Sequence, residues 1–410
     1  MGPAVAVPPV DDLFTDSADL EGATMDRTKK RRRYRPAAAV AGLAATGLLA
    51  ACSSSTSTSA VTSAAGSTAC TAPSSVTIGE LPVPVNLDMV VADGLGLFAK
   101  VGAECHTSVK LQIFASPPTE LPALTSGQIQ FIDVGTANVL AAAGQQQSIL
   151  GLANTAQGGT GFMIAPAADK ANGTLLTGMA HYSKGVIWAV PGLGGPGQLG
   201  ASMLISAAGG SPSDVRFAAV GVPGLVPAIE SGKAGAATVS PAPAVAAIKT
   251  GQAYSIIYTS GASFYKQFGF LSGTIFSTTP AFEAKYPVFT QKIVAAEVQA
   301  LIALQQDYKN PAAVYKLLPA SYRATETEAV WAQSWSYVDG VNAGATGLIT
   351  QQDLQHELGY ETKFGILPSS TTLPGGLTDD TDVRSAYKQL GLAPPAGPVD
   401  LTLLNQLPNT

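Results

Sequence analysis

The sequence predicts an α/β fold of two lobes, followed by a helical C-terminal part. From Val76 onward, short apolar β-branched runs alternate with helix-like segments, which is typical of a mostly parallel sheet. The same alternation restarts at Gly185, and from Pro280 onward the pattern is helical. Because 410 residues can bury two substantial cores, these observations together favour two lobes over one.

The changes of pattern also set the expected domain boundaries. We expect a first lobe built from residues 70–168 and 260–367, with a second lobe, residues 169–259, inserted between its two parts. Beyond residue 367, prolines, serines and threonines dominate, which predicts a C-terminal tail over residues 368–410 with one short helix near residues 384–390.

In the first lobe we expect strands at residues 76–79, 109–114, 129–134, 148–153 and 162–165, with helices at 87–100, 120–125 and 139–143. In the second lobe we expect strands at residues 185–190, 215–220, 236–240 and 255–258, with helices at 198–208, 225–231 and 243–250. The chain is expected to cross back between residues 264 and 276, and helices are predicted at residues 288–308, 325–338 and 351–358.

A glycine-rich turn separates the predicted strand at residues 185–190 from the helix at 198–208. Such a turn directs backbone N–H groups and the positive end of the helix dipole at one point, which suits an anionic or polar ligand group. Residues 192–197 also spell G-x-G-x-x-G, but several elements precede them and Asp214 comes before the next strand, so we reject a dinucleotide site. A small-ligand loop and a plain structural turn remain open.

The N-terminus has the pattern of an export signal. A basic cluster at residues 29–33 precedes an apolar run, residues 37–50, that is too short to be a permanent membrane span. The run ends in Leu-Ala-Ala-Cys, which resembles a bacterial lipobox with Cys52 as the lipidated residue; the alternative is an ordinary signal peptide. We therefore expect a signal peptide over residues 1–51 and a flexible tether over 52–69. Residues 1–24 precede a second methionine, Met25, so either Met1 or Met25 is the start, and the general secretory and twin-arginine routes both stay open.

Composition narrows the classes of function. Charged residues make up 12% of the chain and the net charge is -5, while the one basic cluster lies in the predicted signal, so a nucleic-acid partner is not expected. The three histidines have no metal-ligand spacing and no G-x-S-x-G nucleophile elbow is present, so we expect no metal, no cofactor and no enzyme activity. His356 and Glu357 are expected on the solvated face of a helix.

Two cysteines, Cys70 and Cys105, remain after the predicted signal. Each precedes a predicted strand by a few residues, and if those strands are parallel neighbours, both thiols lie at the same, N-terminal edge of the sheet. In an oxidising compartment outside the cytoplasm this arrangement predicts a disulfide, with two free thiols as the alternative.

Several short motifs resemble one family of binding proteins. Residues 93–104, DGLGLFAKVGAE, are similar to the family's opening helix and G-L-F signature, and residues 123–131, ALTSGQIQF, to a later step. Lys184-Gly185-Val186-Ile187 resembles the strand that leads to the second-lobe loop, and residues 228–236, AIESGKAGA, a further step with Gly235 in place of an acid. In this order they resemble the solute-binding proteins of ABC importers, in the nitrate, sulfonate, taurine and thiamine-pyrimidine-precursor group.

The resemblance implies a two-lobed type II periplasmic-binding-protein fold with the ligand cleft between the lobes, where the loops that follow strands hold the ligand atoms. The candidate ligand-binding residues are Pro82, Val83, Asn86, Gly135, Thr136, Ala137, Gly159, Thr160, Gly194, Gly195, Gln198 and Ser240. The Thr136 hydroxyl is expected to cap the helix at Ala137 and also to donate to a ligand oxygen, with a plain N-cap as the alternative; Asn86 carries a similar ambiguity. No Arg or Lys falls on these loops, so either backbone donors hold an anion or the ligand is neutral.

The implied function is capture of a small organic or anionic solute by closure of the lobes and its delivery to an ABC permease. We expect a monomer anchored through lipid on Cys52 to the outer face of the bacterial cytoplasmic membrane. Two alternatives are a ligand-sensing lobe that serves a membrane receptor and, against the export signal, an enzyme similar to the thiamine-pyrimidine synthases.

Overall fold

The computed structural model describes residues 70–81, 86–114, 117–158, 161–172, 185–307, 310–320, 323, 327–400, 402 and 405. The predicted signal peptide, tether and Cys52 lie outside these residues. Ten strands form two five-stranded sheets. They are β1 (Ser75–Glu80), β2 (Ser108–Ile113), β3 (Phe131–Gly135), β4 (Leu150–Gln157), β5 (Phe162–Pro166), β6 (Ile187–Val190), β7 (Arg216–Ala219), β8 (Ala236–Val239), β9 (Ala253–Tyr258) and β10 (Ser272–Thr278).

The two sheets share one topology. The first has the order β2-β1-β3-β10-β4 and the second the order β7-β6-β8-β5-β9. In each sheet one strand runs against its neighbours: β10 is antiparallel to β3 and β4, and β5 is antiparallel to β8 and β9. These reversed strands are the ones that arrive from the other lobe. The shared order places the turns after β1 and β3 in corresponding positions to the turns after β6 and β8.

The structure differs from two of the predictions. Phe162–Pro166 pairs with β8 and β9, so the second lobe includes this strand and begins before residue 169. The segment predicted as one helix at residues 87–100 is two helices, because Gly96 adopts φ +70 between them. A left-handed backbone is favourable for glycine and ends the first helix there.

Fourteen α-helices lie among the described residues. They are α1 (Leu87–Gly94), α2 (Leu97–Glu104), α3 (Pro117–Thr125), α4 (Thr136–Gly144), α5 (Pro196–Ala207), α6 (Leu225–Glu230), α7 (Pro241–Lys249), α8 (Ala262–Phe268), α9 (Pro280–Lys285), α10 (Pro287–Asp307), α11 (Pro311–Leu317), α12 (Glu328–Ala343), α13 (Gln351–Lys363) and α14 (Thr381–Gln389).

Helix α10 forms the centre of the first lobe's core. By length and apolar composition, residues 287–306 would suffice to cross a membrane. Its apolar side chains, among them Phe289, Val294 and Leu304, are fully buried against the first sheet and neighbouring helices. We therefore interpret α10 as a core helix.

The predicted tail packs on the first lobe. Val383, Ala386 and Tyr387 of α14 are buried in the same core as α10, and the Tyr387 hydroxyl donates to the carbonyl oxygen of Thr346 at 3.0 Å. Because α14 closes one side of this core, the C-terminal segment is an integral part of the lobe.

Helix α13 connects the two lobes. Leu354 and Leu358 belong to the first lobe's core, whereas Tyr360 and Phe364 pack against the second lobe's core. Glu357, expected on a solvated face, is buried, and its Oε2 accepts the backbone N–H of Ser272 at 3.0 Å. The helix therefore faces protein on two sides.

Cys70 and Cys105 form the predicted disulfide, with a Cα–Cα distance of 4.9 Å. We expect the double variant Cys70→Ser/Cys105→Ser to lose about 3–4 kcal/mol of unfolding free energy, because the bond closes a loop with a sequence separation of 35. Urea denaturation measures the loss. A reductant should destabilise the unmodified protein by the same amount and leave the variant unchanged; equal stability of both proteins would contradict the expectation.

Candidate functional site

The predicted ligand-binding residues that the structure describes lie on turns after corresponding strands of the two sheets. Asn86 follows β1, and Gly135, Thr136 and Ala137 lie at the end of β3 and the start of α4; Gly194, Gly195, Gln198 and Ser240 follow β6 and β8. Pro82, Val83, Gly159 and Thr160 lie outside the described residues. Whether any of these residues binds a ligand remains a prediction.

The turn after β3 meets the second lobe directly. A Cβ atom added to Gly135 would lie 3.1 Å from Cδ of Pro196, the first residue of α5, and 3.1 Å from Nδ2 of Asn138. Gly135 thus has its backbone packed against the other lobe, and the lobes are in contact at the predicted site.

Thr136 is fully buried beside this contact. Helix α4 begins at Thr136 with Gly135 as its N-cap, and no side chain caps the helix. The Thr136 hydroxyl has no hydrogen-bond partner. The capping role considered for this residue is therefore wrong, and what remains is a buried hydroxyl free to accept or donate one bond.

Asn86 is the N-cap residue of α1 and is also fully buried. Its Nδ2 donates to the carbonyl oxygen of Asp133 on β3 at 2.8 Å, while its Oδ1 has no partner. The side chain therefore ties the turn after β1 to β3 and leaves one buried acceptor. Buried polar atoms in folded proteins nearly always have partners, so such an atom is notable.

The glycine-rich turn after β6 uses its donors internally. The Gly194 N–H donates to Oε1 of Gln198 at 2.9 Å, and the N–H groups of Gln198 and Leu199 donate to the carbonyl oxygen of Gly195. Pro196, at the first helical position, has no N–H. The turn has the predicted strand-turn-helix form, but these donors are not directed at a ligand.

Ser240 begins α7 without capping it through its side chain. The chain that enters the second lobe passes close to this turn: a Cβ atom on Gly161 would lie 2.9 Å from the carbonyl oxygen of Val239 and 2.9 Å from Cδ of Pro241. Gly161 has φ +126, a conformation that glycine tolerates. The crossing segment and the turn after β8 are therefore tightly packed.

Four acidic side chains, which we call the acidic cluster, lie on one face of the first sheet: Glu80, Asp88, Asp133 and Glu297. All are at most 1% exposed. The pairing of Gly79 with Ile132 makes Glu80 and Asp133 neighbours at the ends of β1 and β3, and α1 and α10 supply the other two. Glu120 of α3 lies across the sheet, where a Cβ on Gly79 would be 2.8 Å from its Oε1.

Burial disfavours the ionised form of these carboxyl groups. It raises the pKa of Asp88 and Asp133 well above their usual range, with nearby acidic groups adding to the effect. Burial also raises the pKa of Glu297 to about 8 and that of Glu120 to about 9. Thr155 partly offsets this at Asp133, since its hydroxyl lies 2.9 Å from both carboxylate oxygens.

Sequence reasoning missed the acidic cluster, although it leaves a signal. Asp88 follows Leu87 and precedes the apolar run Met89–Ala92, and Glu297 lies within the run VAAEVQAL of α10. An acidic residue embedded in an apolar run is either buried or at a helix surface, and helical periodicity alone does not separate these. Only the packing of α1 and α10 on the sheet brings the carboxyl groups together.

Thr136 allows a test of whether its hydroxyl has a structural role. We expect Thr136→Val to leave the unfolding free energy unchanged or to raise it by about 1 kcal/mol, because an unpartnered buried hydroxyl is unfavourable. In contrast, Thr155→Val removes a hydroxyl bonded to Asp133 and should lower it by about 1–2 kcal/mol. Urea denaturation measures the unfolding free energy of both variants. An equal loss of unfolding free energy in the two variants would show that the Thr136 hydroxyl has a partner in solution.

A family model described as the NMT1-like family matches residues 70–319. The comparison with curated proteins finds no significant match. A protein from Bordetella bronchiseptica RB50 has 19% identity and a TM-score of 0.64, over 78% of this chain and 98% of that one.

The alkanesulfonate-binding protein SsuA from Xanthomonas axonopodis pv. citri, bound to MOPS, has 17% identity and a TM-score of 0.60, over 75% of this chain and 99% of that one. The periplasmic nitrate-binding protein NrtA from Synechocystis PCC 6803 has 15% identity and a TM-score of 0.61, over 79% of this chain and 92% of that one. These similarities confirm the predicted fold class, a two-lobed periplasmic-binding-protein-like α/β fold.

Proposed function

Because this chain belongs to the NMT1-like family, we propose that it is the solute-binding component of an ABC importer. In this function a small molecule binds between the lobes, stabilises their closed arrangement and is delivered to the permease. The similar solved structures include binding proteins for alkanesulfonate and nitrate, which supports a transport function over an enzymatic one.

One observation of the site's geometry supports the proposal. The Gly135–Pro196 contact brings the turns of the two lobes together, and beside it lie two buried polar atoms without partners, Thr136 Oγ1 and Asn86 Oδ1. Buried atoms of this kind are satisfied when a ligand supplies the missing hydrogen bonds. A solute held at this position would contact both lobes and favour closure.

The export and anchoring part of the proposal rests on the sequence. The basic and apolar N-terminal segments and the Leu-Ala-Ala-Cys motif support secretion and a lipid on Cys52, which would keep a monomeric binding protein beside its permease. Binding proteins of importers act outside the cytoplasm, which agrees with the Cys70–Cys105 disulfide.

A thermal-shift screen tests the proposal. The purified protein is heated with sulfonates, nitrate, aromatic carboxylates, pyrimidines and organic amines in turn. A ligand at 100 times its Kd stabilises the native state by about 2.7 kcal/mol, which is a rise of several degrees in Tm for a protein of this size. A rise with one class supports solute binding, whereas no rise with any class counts against it. Thr136→Val should then weaken binding of the active compound by about tenfold or less.

A ligand-sensing lobe for a membrane receptor is a second candidate, since it would bind a solute in the same way. Co-purification from membranes distinguishes the two: an importer component is expected with a permease and an ATPase, and a sensing lobe with a receptor.

A further inference from the structure

Two buried glutamates lie where helix α13 meets both lobes. One side of this helix packs in the first lobe's core through Leu354 and Leu358, and another side packs against the second lobe's core through Tyr360. With 3.6 residues per turn, Glu357 and Glu361 project between these two sides. Both are at most 1% exposed. The two side chains, which we call the glutamate pair, therefore occupy the boundary between the lobes.

The glutamate pair contacts the connection between the lobes and has unsatisfied acceptors. Residues four apart on a helix are neighbours, with about 5–6 Å between their Cβ atoms. Glu357 Oε2 accepts the backbone N–H of Ser272 at 3.0 Å, and Ser272 begins β10, where the chain has returned from the second lobe. Glu357 Oε1 and both carboxyl oxygens of Glu361 have no hydrogen-bond partner among the described residues.

No basic group is buried beside the pair in the part of the chain that the structure describes. The elements that α13 packs on most closely, α4, α5 and β10, contain no charged or titratable residue. Helix α8 approaches α13 where the carbonyl oxygen of Phe268 lies 3.4 Å from Nε2 of His356, and its titratable residues are Tyr265 and the exposed Lys266. The other titratable side chains of α13 are exposed or half-buried: Asp353, His356, Tyr360 and Lys363.

Ionisation of the pair is unfavourable while both lobes pack on α13. Burial raises the pKa of Glu361 to about 8, and burial together with the nearby Glu361 carboxyl raises the pKa of Glu357 well above its usual range. Two negative charges one helical turn apart, without a cation, repel each other and need water around them. Water reaches the pair when the second lobe moves off α13, because one side of the pair then faces solvent. The ionised pair is therefore more stable with the lobes apart.

We infer that the glutamate pair makes the contact between the lobes depend on protons: both lobes stay packed on α13 while the pair is protonated, and the second lobe separates from this helix when the pair ionises. The inference rests on the proposed solute-binding function, since closure of the lobes is what would hold a solute. Packed lobes bind more protons than separated ones, so alkaline conditions favour separation. Outside the cytoplasm, where we propose that this protein acts, a solute would be held at neutral pH and released at alkaline pH.

Distances between two spin labels test the inference on the ligand-free, full-length protein. The labels are attached to Gln128→Cys in the first lobe and Ser213→Cys in the second, which are both exposed positions. All proteins also carry Cys52→Ser, so that no other free thiol remains beside the Cys70–Cys105 disulfide. Electron–electron double resonance then gives the distance distribution at about pH 6.5 and about pH 9.5, on either side of the titration.

Two variants separate the glutamate pair from other buried acids. Glu357→Gln/Glu361→Gln keeps the side-chain shape and cannot ionise. Glu120→Gln is the matched control, since burial also raises the pKa of that carboxyl, to about 9, but it lies beside Gly79 within the first lobe. Circular dichroism confirms that each variant folds. If the double variant does not fold, Glu361→Gln alone, which removes no hydrogen bond among the described residues, should reduce the pH response.

We expect the ratio of separated to packed lobes to rise at least about tenfold between the two pH values in the unmodified protein and in Glu120→Gln, and to change less than about twofold in the double variant. A distance distribution that does not respond to pH would overturn the inference, and so would a response that the double variant retains. Because no solute is present, the two proposals fail separately. A pH response in a protein that binds no screened compound counts against the proposed function alone, and solute binding without a pH response counts against the inference alone.

Discussion

Raising the pH from about 5 to about 8 is expected to lower the unfolding free energy of the ligand-free protein by about 3 kcal/mol or more. The reason is the number of buried acids. Burial raises the pKa of Glu120 to about 9 and those of Glu297 and Glu361 to about 8, and raises the pKa of Glu357 and the cluster aspartates well above their usual range. In an unfolded chain these groups ionise near pH 4.

The direction of this change in unfolding free energy follows from proton binding. Each of these acids has a higher pKa in the folded state, so the folded state holds more protons above about pH 4. Stability is greatest below the unfolded pKa values. Between its unfolded and folded pKa each group lowers the stability by about 1.4 kcal/mol per pH unit, and its contribution is lost once the pH has risen through the folded pKa. Urea denaturation at several pH values measures this dependence.

Glu297→Gln is the control for the pH effect, because it removes one of the titrating groups. This variant should be more stable than the unmodified protein at pH 8 and should show a shallower pH dependence. A stability that is flat or highest at pH 8 would mean that the acidic cluster is ionised and neutralised in the folded protein, which contradicts the expectation.

Adding side-chain atoms at Gly135 should weaken ligand binding without preventing folding. The backbone there, φ -52 and ψ 135, is open to any residue. A Cβ atom, however, would lie 3.1 Å from Pro196 of the other lobe, closer than ordinary van der Waals contact. We expect Gly135→Ala to raise the Kd of a bound solute about fivefold and Gly135→Val to raise it by ten- to 100-fold, because overpacking of this kind is worth about 1–3 kcal/mol.

Gly375→Ala is the matched change, since no atom lies within 4 Å of a Cβ at that position. Its Kd should equal that of the unmodified protein in calorimetric titrations. If Gly135→Val also binds normally, the solute-bound lobes do not meet at Pro196 and the closed arrangement is not the binding one.

Local sequence patterns predicted most strands, the strand-turn-helix form around Pro196 and the Cys70–Cys105 bond. These features depend on short-range periodicity, on glycine and proline, or on the compartment. The place of β10 between β3 and β4 was not predicted, because pairing across more than 100 residues leaves no trace in a local pattern. The same holds for β5, whose apolar residues suit either sheet.

At the candidate site, sequence reasoning placed Asn86 and Thr136 at the ends of strands, where the structure has them. It also assigned Thr136 a possible role as a helix cap, which is wrong because α4 begins at that residue and Gly135 is its N-cap. It also missed the acidic cluster, since the burial of Asp88 and Glu297 depends on which faces of α1 and α10 pack inward. Their partner on β3, Asp133, is more than 40 residues distant in the chain from either of them.

The reversed strands have a consequence for the order of folding. The second lobe's strands, β5 to β9, come from one uninterrupted stretch, so that lobe can assemble as soon as this stretch is available. The first lobe cannot: β3 and β4 both pair with β10, which follows the entire second lobe in the chain. A fragment that ends before Ser272 would therefore leave two apolar strands with open edges and a risk of aggregation. Supplying the missing C-terminal fragment in trans should restore its solubility.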